Sequence, residues 1–139
     1  MRIGSNKHEH DSQRIGDLNM DEIKVGSVSI SSEGHGLFTR LVSSEGKESE
    51  DRPFTSIVES FRFAFALGYS KGLRKKKSGS SETIAPRQFV VSDYRVILGE
   101  TCLEEEISLG ALSSEYAEAG FIEMKKVIES GGTVLDLIV

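Results

Sequence analysis

One segment near the middle of the chain carries the strongest helical pattern and limits what the rest can build. Apolar side chains recur there at the i, i+3, i+4, i+7 spacing of a buried helical face, at Ile57, Val58, Phe61, Ala64, Phe65 and Gly68. A second apolar flank consists of Phe63, Ala66, Leu67 and Tyr69. A helix that is apolar around most of its girth lies in a core or in an oligomer interface. The pattern therefore predicts a central helix over Thr55–Lys71.

Weaker patterns on either side of this helix predict the other elements. A β-branched run predicts a strand over Val25–Ile30, and serines at 31 and 32 are suited to cap a helix that runs to Val42. After the central helix, we expect a loop over Ser78–Pro86 and a helix that Ser92 caps and that extends toward Cys102. The last helix has an apolar stripe from Tyr116 to Ile128, and Ser113 and Ser114 are its predicted caps.

These elements together predict a mainly α fold with one short N-terminal strand, in a compact domain of about four helices. A chain of 139 residues has the length of one ordinary domain. Residues 1–22 are polar and show no apolar period, so we expect a flexible tail there and a single helical domain over residues 23–139.

Several function classes lack the residues that they require. The first 20 residues contain no apolar run that could serve as a signal peptide, and no stretch is long enough to span a bilayer. A single cysteine, Cys102, excludes an intramolecular disulfide and suits a reducing cytoplasm. We expect His8, His10, His35 and the acidic run Glu104–Glu106 to be solvated side chains. No nucleophile or phosphate-loop motif is present. We therefore expect a cytoplasmic protein without catalytic residues, cofactor, metal or membrane contact.

The charge distribution indicates one basic surface on an acidic protein. The net charge is −5, yet residues 62–87 sum to +6, which leaves −11 for the remainder. Clustered cations can contact phosphates and release counterions. We therefore assign candidate DNA-binding roles to Lys71, Arg74, Lys75, Lys76, Lys77 and Arg87. The alternative without a binding role is a basic helix terminus that only adds solubility and complements the negative end of the helix dipole. No aromatic residue alternates with these lysines, so the sequence offers no base-stacking pattern.

Two further interpretations follow from the order of elements and from the apolar flank. A strand, a helix and a longer helix form the order of the ribbon-helix-helix unit, in which strands of two protomers pair into a DNA-binding ribbon. The second apolar flank favours instead a protein-protein adaptor or an oligomeric subunit, with a homodimer as the simplest form. Its candidate interface residues are Phe63, Leu67 and Tyr69.

Three motifs resemble a pattern in small bacterial proteins associated with the dnd DNA-phosphorothioation defence systems. The first runs from Pro53-Phe54 through the Phe63–Tyr69 segment to Gly72–Lys75. The others are the strand motif Val28–Ser31 and the helix motif Glu115, Tyr116, Ala117 and Gly120. The resemblance covers residues 25–139. It implies a non-catalytic accessory component of a DNA-modification or phage-defence system, whose partners are DNA or other defence-system proteins.

Overall fold

A computed structural model describes residues 22–43, 49–77, 79–84 and 94–138. The strands are β1 (Val28–Ser31) and β2 (Ser81–Ile84), and the helices are α1 (Ser32–Leu41), α2 (Ile57–Lys71), α3 (Arg95–Glu105) and α4 (Leu109–Glu129). A 3-10 helix follows over Val134–Leu137. The predicted class, mainly α with four helices, is confirmed for these residues. Residues 1–21 of the predicted tail lie outside them.

The start of α1 confirms the serine cap expected from the sequence. The Ser31 hydroxyl accepts a hydrogen bond from Gly34 N–H at 3.1 Å, which satisfies one of the unpaired amides of the first helical turn. The central helix also begins at a serine cap, Ser56, whose hydroxyl accepts from Glu59 N–H at 3.1 Å. Both helices therefore begin within two residues of their predicted positions.

A second strand lies where the sequence predicted only a loop. Residues 81–84 pair antiparallel with β1, with Val28 opposite Ile84 and Ser31 opposite Ser81. Three of the four side chains of β2 are exposed and only Ile84 is buried, so the strand has little of the apolar alternation by which strands are recognised. Pairing with β1, rather than its own composition, makes this segment a strand.

The sheet also contradicts the ribbon-helix-helix interpretation, because both edges of β1 are occupied within the chain. One edge pairs with β2. On the other, Ser29 N–H donates to Ser114 Oγ at 2.9 Å and Ser31 N–H donates to Glu118 Oε1 at 3.0 Å. An intermolecular ribbon needs a strand with a free edge. β1 therefore cannot pair with a second protomer in this conformation.

The principal contact of the core joins α2 to α4 at two glycines. A Cβ atom on Gly68 would overlap the carbonyl oxygen of Tyr116, and one on Gly120 would overlap the carbonyl oxygen of Ala64. The two backbones therefore approach more closely than any side chain would allow. Phe61, Phe65, Phe121 and Met124 are buried beside this crossing. The apolar stripes predicted for both helices are thereby confirmed as core.

The predicted caps of the last helix are wrong. α4 begins at Leu109, and Ser108 is its cap, accepting from Ala111 N–H at 3.0 Å. Ser113 and Ser114 are buried inside the helix instead. Ser114 Oγ donates to the carbonyl of Gly110 at 2.7 Å and receives the Ser29 amide, so the serine joins the helix to β1. Within the described segments, no helix combines the length and the apolar character that crossing a bilayer requires.

Candidate nucleic-acid interface

The basic run lies immediately after α2 and is held against α4 by the backbone. Gly72 ends the helix in the left-handed conformation, with φ of 68°, which a glycine adopts without steric cost. Leu73 N–H then donates to the carbonyl of Gly68 at 2.9 Å. Two residues later, Lys75 N–H donates to the carbonyl of Glu115 at 3.0 Å. The run therefore leaves the helix in a defined direction, along the first half of α4.

Two of the predicted DNA-binding cations are engaged by carboxylates of the same chain. Arg74 donates to both oxygens of Glu105, at 2.8 and 2.9 Å, and through Nε to Glu115 at 2.9 Å. These hydrogen bonds raise the pKa of Arg74 and lower that of Glu105. Lys71 Nζ lies 3.2 Å from Glu123 Oε1, and this hydrogen bond lowers the pKa of Glu123. Arg74 ties the end of α2 to α3 and α4, which accounts for its position without any DNA.

The three consecutive lysines differ from these two cations. Lys75, Lys76 and Lys77 are exposed, and no ion pair joins them to a carboxylate among the residues placed by the structure. Arg87, the sixth predicted cation, lies outside the described residues. Of the predicted cations that the structure describes, Lys75–Lys77, hereafter the lysine run, are therefore the ones available to a phosphate.

Sequence reasoning missed a cluster of aromatic rings beside the lysine run. Tyr69 of α2, Tyr94 before α3 and Tyr116 of α4 surround Phe65. The Arg74 guanidinium lies 5.9 Å from the centre of the Tyr116 ring, within the range of a cation–π contact. Partial burial raises the pKa of the Tyr116 phenol above its ordinary value, so the ring is neutral at pH 7. The three tyrosines come from distant parts of the sequence, so no local pattern predicts the cluster.

The predicted protein-interface residues do not form one surface. Leu67 is 9% exposed and belongs to the core of its own chain. Phe63 is half-buried against Phe54, with ring centres 5.4 Å apart, whereas Tyr69 packs on Tyr116 at 5.3 Å. Helical positions 63 and 69 point in different directions because six residues are far from a whole number of turns. The continuous apolar flank expected from the sequence is therefore corrected to two separate sites.

Further apolar side chains are exposed outside the predicted flank. A shallow groove of about 430 Å³ is lined by Phe54 and Phe63 together with Leu135 and Ile138, and Ile138 is 62% exposed. On α3, Val96 is 83% exposed. In the 3-10 helix after α4, Val134 is the buried residue, whereas Leu135 is exposed.

The cysteine, histidine and acidic residues considered for catalysis and metal binding do not form a site among the described residues. Cys102 is buried, as expected for a small core side chain, and burial raises the pKa of its thiol. His35 is half-buried in α1, and Glu104–Glu106 are exposed. His8 and His10 lie outside the described residues. Within the described ranges, no three histidine, cysteine or acidic residues come together closely enough to hold a metal ion.

The carboxylate of Glu118 is buried, which the sequence did not predict. Glu118 is 5% exposed and receives two hydrogen bonds from Ser31, from the amide at 3.0 Å and from the hydroxyl at 2.8 Å. The same hydroxyl caps α1, so the carboxylate lies at the positive end of that helix dipole. This arrangement joins β1, α1 and α4 and explains how an acid is accommodated in the core.

Comparison of the chain with protein-family models, with curated proteins and with solved structures gave no match.

Proposed function

We propose that this protein is a non-catalytic binding protein that contacts nucleic-acid phosphates through the lysine run. The observation that carries the proposal is the set of three adjacent exposed lysines on a segment that a backbone hydrogen bond fixes to α4. Exposed lysines on an anchored segment can neutralise successive phosphates of one strand and release the counterions condensed there.

The surrounding charges favour the same role for these lysines. Glu105, Glu115 and Glu123 are each engaged by Arg74 or Lys71, which reduces their repulsion of an approaching phosphate. Because the protein as a whole carries a net charge of −5, binding depends on this local surface rather than on overall attraction. Lys71 and Arg74 act in this proposal by holding and neutralising the surroundings of the lysine run.

The resemblance to dnd-associated proteins supplies the biological setting of the proposal. It supports an accessory role in a cytoplasmic DNA-modification or phage-defence system, in which DNA is the partner. The resemblance rests on motifs that now have structural explanations: Gly68 and Gly120 form the helix crossing, and Gly72 ends α2.

The test measures binding of a fluorescently labelled DNA duplex by anisotropy at about 50 and about 200 mM salt. Three phosphate contacts predict a loss of affinity of about 40-fold between the two concentrations, since log K falls by about 0.9 per contact for each tenfold rise in salt. The variant K76E/K77E removes two contacts and reverses their charge. We expect it to abolish binding to every sequence tested.

A matched control separates local contact from overall charge. The variant K24E/R40E makes the same change in net charge at two exposed positions outside the lysine run, one before β1 and one in α1. We expect it to bind within about threefold of the unaltered protein, since charges that make no contact with the phosphates act only through long-range attraction, which salt screens. Equal loss in both variants, or no binding of the unaltered protein at low salt, would refute phosphate contact by the lysine run.

A second candidate function is an adaptor or oligomeric subunit that uses the exposed apolar groove. The specific observation is the exposure of Ile138 and Leu135 beside Phe63, because clustered exposed apolar side chains are typical of interaction surfaces. For a homodimer, sedimentation over a concentration series will show association that I138D weakens and K76E/K77E leaves unchanged. A monomer at all concentrations would exclude the homodimer.

A further inference from the structure

All three tyrosines of the chain lie in the aromatic cluster beside the lysine run. The sequence contains three tyrosines and no tryptophan. Tyr69 lies in α2, Tyr94 directly before α3 and Tyr116 in α4, yet each packs against the Phe65 ring. The packing therefore gathers every tyrosine at the surface on which the basic segment begins.

The cluster holds Tyr69 in place while leaving it accessible. Its ring is nearly parallel to Phe65, at 13° and 5.8 Å, and meets the edge of Tyr116 at 77° and 5.3 Å. Tyr69 nevertheless remains 40% exposed. A ring that is already fixed by its neighbours loses little conformational freedom when a ligand stacks on it, which favours binding.

The lysine run begins beside Tyr116, the ring that Tyr69 contacts. Lys75 N–H is bonded to the carbonyl of Glu115, the residue before Tyr116, and Arg74 lies over the Tyr116 ring. The backbone of the lysine run thus starts next to the aromatic cluster, although aromatic and basic residues do not alternate in the sequence. Aromatic rings beside a basic segment are the two components of single-strand recognition, in which bases stack and phosphates are neutralised.

We infer that the ligand of this surface is a single-stranded nucleic acid, with a base stacked on Tyr69 and the adjacent phosphates on the lysine run. This inference rests on the proposed phosphate contact and adds the class of strand. In a duplex, both faces of each internal base are covered by neighbouring bases, whereas a single strand exposes them. The lysine run serves either form, but only a single strand makes use of Tyr69.

The test compares three probes that separate the aromatic from the ionic contribution. They are a labelled oligo(dT) of about 20 nucleotides, a hairpin duplex of equal phosphate number, and inorganic polyphosphate as a competitor without bases. The chain has no tryptophan, so its intrinsic fluorescence comes from the three clustered tyrosines. We expect oligo(dT) to bind at least fivefold more tightly than the hairpin and to quench the tyrosine emission, whereas polyphosphate competes without comparable quenching.

Substitutions at Tyr69 distinguish stacking from support of the fold. Y69L keeps an apolar side chain against Phe65 but lacks an aromatic face, and we expect it to weaken oligo(dT) binding roughly tenfold without changing polyphosphate competition. Y69F keeps the ring and is expected to bind like the unaltered protein. If Y69L fails to fold, as judged by circular dichroism, the quenching and the preference over the hairpin decide the question.

The outcomes separate this inference from the function on which it rests. Equal affinity for oligo(dT) and hairpin, together with binding that Y69L leaves unchanged and K76E/K77E abolishes, overturns the single-strand inference and leaves phosphate contact standing. Absence of binding to all three probes at low salt overturns both. An RNA oligo(U) of the same length tests whether the 2′-hydroxyl contributes, and the inference requires oligo(U) or oligo(dT) to exceed the hairpin.

Discussion

Substitution of Gly120 by alanine tests the close approach of α2 and α4. The added methyl group would lie inside the van der Waals radius of the Ala64 carbonyl oxygen. That oxygen belongs to the backbone of α2 and cannot rotate away as a side chain can. The two helices must therefore separate locally by more than an ångström, and the reciprocal contact at Gly68 must open with them.

Two opposing contributions determine the size of the effect. Alanine stabilises a helix by about 1 kcal/mol relative to glycine, because glycine loses more backbone freedom on folding. Against this, overpacking in a dense interior costs about 1–3 kcal/mol, and here the clash is with backbone and the separation also weakens contacts of Phe61, Phe65 and Phe121. Because the clash is with backbone, we take the upper end of this range, about 3 kcal/mol, which after the gain of about 1 kcal/mol leaves a net loss of about 2 kcal/mol in the free energy of unfolding.

Urea unfolding followed by circular dichroism measures this loss, and G36A provides the control. Gly36 lies inside α1 with no atom of another residue near its missing side chain, so alanine there gains helix propensity without a clash. We expect G36A to raise the free energy of unfolding by about 0.5–1 kcal/mol. For G120A, a slope of about 1–3 kcal/mol per molar urea places the midpoint roughly 1–2 M lower.

The signs of the two changes are the decisive result. A G120A variant at least as stable as the unaltered protein would mean that α2 and α4 do not meet at these glycines. If G36A lowered the free energy of unfolding by as much as G120A does, alanine would be unfavourable in these helices for reasons other than close approach.

Two further predictions concern acidic groups with defined partners. E118A should lower the free energy of unfolding by about 2–4 kcal/mol, because it leaves the Ser31 amide buried without an acceptor. E118Q keeps an acceptor oxygen and should retain part of the stability. Thermal unfolding of both variants measures the two losses. The pKa of Glu105 is lowered by hydrogen bonds from Arg74, so this pair stabilises the fold above the ordinary carboxyl range and loses the contribution as pH falls through the lowered value. In R74Q, NMR titration should find the Glu105 pKa closer to its ordinary value; an unchanged pKa would exclude Arg74 as the cause.

Local patterns were sufficient to predict the helices that form the core. The apolar spacing in α2 and α4 is a property of each segment by itself, and so is the serine cap of α1. For α4, the preference of serine for caps points to Ser113 and Ser114, whereas the actual cap, Ser108, lies five residues before Ser113. Ser114 instead packs inside the fold against β1, a partner distant in the sequence.

Of the candidate site, only the lysine run was predictable from the sequence. Adjacent lysines are visible in any sequence, and their exposure follows from the cost of burying charge. The separation of this run from Lys71 and Arg74 was not predictable, since it depends on carboxylates contributed by α3 and α4. Leu67 was assigned to an interface because it lies on the second apolar flank, but packing against its own chain buries it.

The sequence alone determined where helices form, which faces are apolar and where positive charge concentrates, because each depends on residues within a few turns of one another. Only the tertiary structure decided that β2 is a strand, that Glu118 is buried at the start of α1, and that three tyrosines meet beside the lysine run. These features join residues that are far apart along the chain. Their free energy comes from contacts that exist only after the helices have packed.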